Sequence, residues 1–370
     1  MGNTNKTAGG RGFLALELDG VTAGAAGGAT GAPALAAAVL AAESAGFHAV
    51  TFSDSPAQVR LNALQRAAFA GPLTRSLVLI PEVDTAYTEP FHASTQLASL
   101  DYVSGGRAGW IATGEDNPAA AAAVGRSYVT GDGLAREAAA SIEVSRRLWD
   151  SWEDDAVIRD VASGRYLDAG KLHYVDFDGP GYSVKGPSII PRPLQGQLPV
   201  FVPAAVVGDG LVEPADVDAV LVSAPTAELL VDEVRDVRER LGGGSPAVLV
   251  ELDVVLDARG QTAAQRLGDE QRAVGQPDGV EGVRRARFAG SAAELADLLT
   301  EILEVADGVH LHPATFDVDF EELSRLVLPE LRRRGVLAPV PQDGTLRDLL
   351  GLKRPASRYA ATAAEIRRTP

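Results

Sequence analysis

Cysteine is absent from this 370-residue chain, methionine occurs once, and aromatic residues make up only 5%. Without cysteine there can be no disulfide, thiolate metal site or thiol nucleophile. Basic charge is also scarce: 34 Lys and Arg stand against 50 Asp and Glu, a formal net charge of -16. Apart from Arg332-Arg333-Arg334 there is no basic run. Nucleic acid and anionic membrane surfaces are therefore poor partners. No apolar run reaches the roughly 18 residues of a bilayer-spanning helix, and MGNTNKTAGGRGF at the N-terminus lacks an apolar leader core. The expectation is a soluble cytoplasmic protein with neither nucleic-acid nor membrane partners.

What the chain does have is a regular alternation. Residues 87–110, YTEPFHASTQLASLDYVSGGRAGW, run from turn to helix to glycine turn to strand. Pro90 opens the helix, and Phe91, Leu97, Leu100 and Val103 supply its apolar face. Earlier strands are predicted at 13–18 (FLALEL), 48–53 and 76–83, and later ones at 199–203, 218–223, 247–256 and 308–312. Helices are predicted at 33–45, 58–69, 134–152, 226–241, 291–305 and 319–334, with a helical region up to about residue 272. Ser291 and Glu294 have capping-box spacing. Eight strands that mostly alternate with helices point to an α/β fold, a (β/α)8 TIM barrel. Residues 153–197 break the rhythm and read as an insertion with a hairpin at Asp178-Gly179-Pro180-Gly181, and 336–370 read as a C-terminal tail. One domain spanning 1–370 is the expectation.

Strand parity selects candidate site residues. Leu14, Leu16 and Leu18 should face the outer helices, which turns Glu17 and Asp19 inward near the rim where barrel enzymes keep their sites. The same two-residue step recurs at Glu82/Asp84, Glu251/Asp253 and His310/His312. If they converge, Glu17, Asp84, Glu251, His310 and His312 could perform acid/base chemistry or contact substrate. Such residue types also suit a divalent cation, though no metal is assigned. The blander reading is that these acids are solvated or pair with loop arginines.

The 87–110 block resembles the bacterial luciferase-like flavin monooxygenases, in particular the nitrilotriacetate and dibenzothiophene-sulfone branch. The likeness recurs in 146–156 (RRLWDSWEDDA), 171–200 and 326–360. It implies a TIM barrel, usually oligomeric and here expected as a homo-oligomer. It further implies reduced FMN from a partner flavin reductase, and O2 as oxidant for a small organic substrate. By resemblance, His92 is the catalytic candidate, and Asp54, Thr85, Tyr87 and Thr113 are the cofactor-binding candidates.

The chain departs from the family pattern at Ile111, Gly114, Glu115, Ala135, Ala205 and Val207. The last three stand where the resemblance expects phosphate contacts, and neither alanine nor valine offers a hydroxyl or a cation. Two alternatives follow. One is a homologue without flavin that serves as a binding or subunit-partner protein, and the other is a flavin-free enzyme using the acidic and histidine residues. A deazaflavin in place of FMN also stays open.

Overall fold

In the first strand the leucines point one way and Glu17 the other, and that alternation sets the architecture. The computed structural model describes residues 12–19, 31–54, 61–179, 181–208, 211–242, 246–274, 285–337 and 340–360. The main sheet contains β1 (Phe13–Glu17), β2 (Ala49–Phe52), β3 (Val78–Asp84), β4 (Trp110–Thr113), β9 (Val200–Pro203), β10 (Ala219–Val222), β11 (Ala247–Leu256), β12 (Ala286–Gly290) and β13 (Gly308–Pro313). Strand order is β10-β9-β4-β3-β2-β1-β13-β11-β12, and β10 pairs back onto β11. That return closes eight strands into a parallel barrel.

Two hairpins occupy the predicted insertion: β5 (Val157–Asp160) with β6 (Arg165–Leu167), and β7 (Phe177–Asp178) with β8 (Ser183–Val184). Gly179 N–H donates to the Tyr182 carbonyl within the expected turn, although Pro180 itself lies outside the described residues. The β12 strand was not expected from the sequence. β11 carries it by dividing its edge: Ala247–Val250 pair with β10, whereas Leu252–Leu256 pair with β12.

By chain contacts the molecule divides into two compact units, residues 1–51 with 219–342 and residues 52–218 with 343–370. In the first unit, Leu14, Leu16, Val309, Leu311, Val248, Val250, Leu252 and Val254 are all fully buried on the outward faces of their strands. Each such side chain contributes about 1.5–3 kcal/mol when taken from water. The helix Ala32–Ala45 ends at Gly46, whose φ of 83° is the left-handed cap conformation that glycine adopts without strain. The helix Ala292–Val305 starts with the expected capping box between Ser291 and Glu294.

In the second unit, Glu89 caps the helix Pro90–Ser104 by accepting from the N–H groups of Phe91 and His92. Gly105, at φ 69°, ends it. Arg107 then turns inward, and its guanidinium donates to the carbonyls of Gly71, Thr74 and Leu77 and to the Thr74 hydroxyl. The C-terminal tail docks on the same turn. Gln195 donates its N–H and Nε2 to the buried Asp101 carboxylate and accepts from the Arg347 N–H. A Cβ on Gly109 would sit 2.6 Å from Leu346 Cδ2, so a larger residue there would push the leucine side chain aside.

Candidate functional site

The first unit brings together four of the predicted residues. Register does it: Glu17 is opposite Thr51, Ala15 is opposite His310, and His310 is opposite Glu251. Side chains at equivalent positions of neighbouring parallel strands share a face, so Glu17, Thr51, Glu251, His310 and His312 share the inner one. The Glu17 Oε2 accepts from the Thr51 hydroxyl at 2.7 Å, and Thr51 Oγ1 lies 2.7 Å from His310 Nε2. Asp19 N–H donates to the other Glu17 oxygen. Ser223 Oγ donates to Glu251 Oε2 at 2.6 Å. His312 Nε2 is 3.5 Å from Glu251 Oε1, and the two imidazole centroids are 4.0 Å apart.

This cluster is dry. His310 is 1% exposed and His312 8%, while the side chains of Glu17 and Glu251 are 10% and 14% exposed. Burial pushes His310 well below its ordinary value, and the neighbouring His312 adds to the effect, so its imidazole is neutral. For Glu251 burial works upward, but His312 and the Ser223 hydroxyl outweigh it and hold the carboxyl down to about 2. A neutral base and a carboxylate thus lie within 3.8 Å of each other. That is the separation of protonation states on which acid/base chemistry depends.

Thr51 and Ser223 were not foreseen. Both hydroxyls lie on or just after strands that read as apolar core, and only the register reveals that they face the carboxylates. Asp253 follows the blander reading instead: it pairs with Arg285 and Arg287.

The remaining candidates belong to the second unit, and most have local work. Asp84 accepts from the N–H groups of Tyr87 and Glu115 and so ties two loops to the end of β3. Burial raises its pKa despite these bonds. Thr85 Oγ1 donates to the Thr113 carbonyl, and Thr113 is opposite Asp84 in the β3–β4 ladder. The Tyr87 hydroxyl accepts from the Val129 N–H. Asp54 Oδ2 accepts from Asn62 Nδ2 and the Ala63 N–H at the start of the helix Ala63–Ala70. His92 is exposed on the first turn of the helix Pro90–Ser104, with its Nε2 2.8 Å from Gln96 Nε2.

A model of the luciferase-like monooxygenases matches residues 17–319. The chain belongs to that family. It is 27% identical over 355 residues to the N-acetyl-S-(2-succino)cysteine monooxygenase of Bacillus subtilis (strain 168), covering 78% of this chain and 80% of that protein. It is 28% identical over 355 residues to nitrilotriacetate monooxygenase component A of Aminobacter aminovorans, covering 78% of each. Among solved structures, EDTA monooxygenase from Chelativorans sp. BNC1 superposes with a TM-score of 0.76 at 19% identity, covering 93% of this chain and 99% of that one. At that identity the superposition speaks for the fold.

Family membership implies FMN, so the positions expected to meet its phosphate are decisive. Ala135 and Val207 are buried apolar side chains, and Ala205 is exposed in a short 3-10 turn, Ala204–Val206. None of these side chains can donate to a phosphate. The hydroxyls of Thr85 and Tyr87 and the carboxylate of Asp54 already hold partners within the chain. The side chains at these positions do not fit a tightly held FMN.

Proposed function

We propose that this chain is the oxygenase component of a two-component, flavin-dependent monooxygenase acting on a small organic substrate with O2. On this reading reduced FMN is delivered by a separate reductase and held only transiently, in keeping with Ala135, Ala205 and Val207. The observation that carries the proposal, beyond the family, is the buried constellation of Glu17, Thr51, His310, His312, Glu251 and Ser223 at the ends of barrel strands. Barrel enzymes concentrate chemistry at strand C-termini. The neutral His310 imidazole is suited to accept a substrate proton, and the Glu251 carboxylate is suited to orient His312 or a basic substrate group. Thr51 and Ser223 fix the two carboxylates by one hydrogen bond each. Cytoplasmic location and a homo-oligomeric assembly belong to the same proposal.

The test is a titration of the purified protein with FMN under reducing conditions, followed by O2 consumption with a flavin reductase present. Binding weaker than about 100 μM together with no O2 consumption above the reductase alone would sink the reading. That result favours the second one, a partner subunit without flavin chemistry, which Ala135 and Val207 also motivate. A deazaflavin titration on the same samples separates the cofactor variant.

A further inference from the structure

We infer that His310, His312 and Glu17 form a binding site for one divalent cation of the Zn2+ type, with Glu251 within reach as a fourth ligand. One ligand atom from each of Glu17, His310 and His312 lies within 4.8 Å of those of the other two. His310 Nε2 is taken by the Thr51 hydroxyl at 2.7 Å, so Nδ1 is the ring atom that His310 would offer to the cation.

The second observation is independent of the cluster's geometry. Among the described residues, His310 Nδ1 and His312 Nε2 are buried without a hydrogen-bond partner. Burying a polar nitrogen without a partner costs about 1–3 kcal/mol. Here two such nitrogens face one carboxylate oxygen, Glu251 Oε1, at 3.8 and 3.5 Å. These distances are too long for hydrogen bonds. A cation accepting both lone pairs would satisfy nitrogens that the chain itself leaves unmet.

Charge and chemistry agree. The carboxylates of Glu17 and Glu251 would be neutralised by one dication in a site that water scarcely reaches. Imidazole with carboxylate selects Zn2+, Co2+, Ni2+ or Fe2+ over Mg2+ and Ca2+, whose preferred ligands are all oxygen. Supporting groups are also present. The Thr51 hydroxyl bridges Glu17 and His310, and Ser223 Oγ anchors Glu251, as outer groups orient ligands in built metal sites. The inference does not rest on the oxygenase reading, because the site is complete without flavin.

The full chain, stripped with chelator and dialysed, is titrated with Co2+ while visible absorption is followed, and with Zn2+ by calorimetry. The expected result is one equivalent bound, intense visible bands of low-symmetry Co2+, and a melting temperature that rises with Zn2+ concentration. His312→Asn and Glu17→Gln should each weaken the affinity at least about tenfold, or about 1.4 kcal/mol. Circular dichroism of the metal-free variants checks that they fold. Asp253→Asn, which alters the neighbouring arginine pairs, should bind as the parent does. The absence of stoichiometric uptake by the parent overturns the inference, as does undiminished uptake by both folded variants. No flavin enters any arm, so failure here leaves the oxygenase proposal standing.

Discussion

Glu251 and His310 are opposite one another across the β11–β13 ladder, yet the nearest imidazole nitrogen to the Glu251 carboxylate belongs to His312, 3.5 Å away. His310 instead directs Nε2 to Thr51. The two histidines, two residues apart on one strand, thus differ in their nearest partner: the Thr51 hydroxyl for His310 and the Glu251 carboxylate for His312. Their separate roles can be tested.

His310 should govern the acid stability of the protein. Its pKa is depressed by burial in the folded state. Between the folded value and the unfolded value near 6.5, the unfolded chain holds the extra proton. Stability is therefore full above about pH 6.5 and is lost as pH falls, with a slope of up to about 1.4 kcal/mol per pH unit. Calorimetric melting from pH 7.5 to 5 should show this fall, and His310→Gln should flatten it. An unchanged slope in the variant would show that another group titrates.

Glu251→Gln should reduce product turnover at least about tenfold, or about 1.4 kcal/mol of barrier, because the carboxylate that orients His312 or a basic substrate group is lost. Ser223 can still donate to the amide oxygen, so the barrel should fold. Steady-state rates with reductase, reduced FMN and O2, alongside melting curves, separate chemistry from stability. Because the carboxyl titrates near 2, its own ionisation should leave no inflection in the rate profile between pH 5 and 8.

Arg107→Met should destabilise the second unit by about 3 kcal/mol or more, because the carbonyls of Gly71, Thr74 and Leu77 would lose a buried donor. Urea unfolding measures the change, and a shift below about 1 kcal/mol would contradict the buried network.

His92→Ala should change stability by less than about 0.5 kcal/mol, since the imidazole is exposed and, among the described residues, meets Gln96 one turn on in the same helix. Turnover should nevertheless fall if this helix end attends the reaction, as the family resemblance implies. A variant with parental turnover removes His92 from the catalytic residues.

The strands and helices were legible because their apolar periods are strong: FLALEL and the Leu/Val pattern of β11 admit little else. The inner-face residues Glu17, Glu251, His310 and His312 were legible for the same reason, as polar positions stepping by two through apolar strands. β12 was missed because ARFAG is short and its pairing depends on an edge of β11 that no local pattern announces. Thr51, Ser223 and Arg107 were missed as partners because each acts on a group 28 or more residues away, or on backbone carbonyls. Asp84 was read from strand parity as inward at the rim; its burial and its two loop N–H bonds follow from chain paths that spacing cannot supply.

The divided edge of β11 has a consequence for how this protein can change. Glu251 is the residue between the part of the strand that closes the ring with β10 and the part that leans on β12. Ring closure is complete below that residue. The wall above it can therefore be lengthened, trimmed or recharged through β12 and Arg285 without reopening the ring. Selection for a new substrate can act on that ledge while the buried histidines beneath keep their geometry.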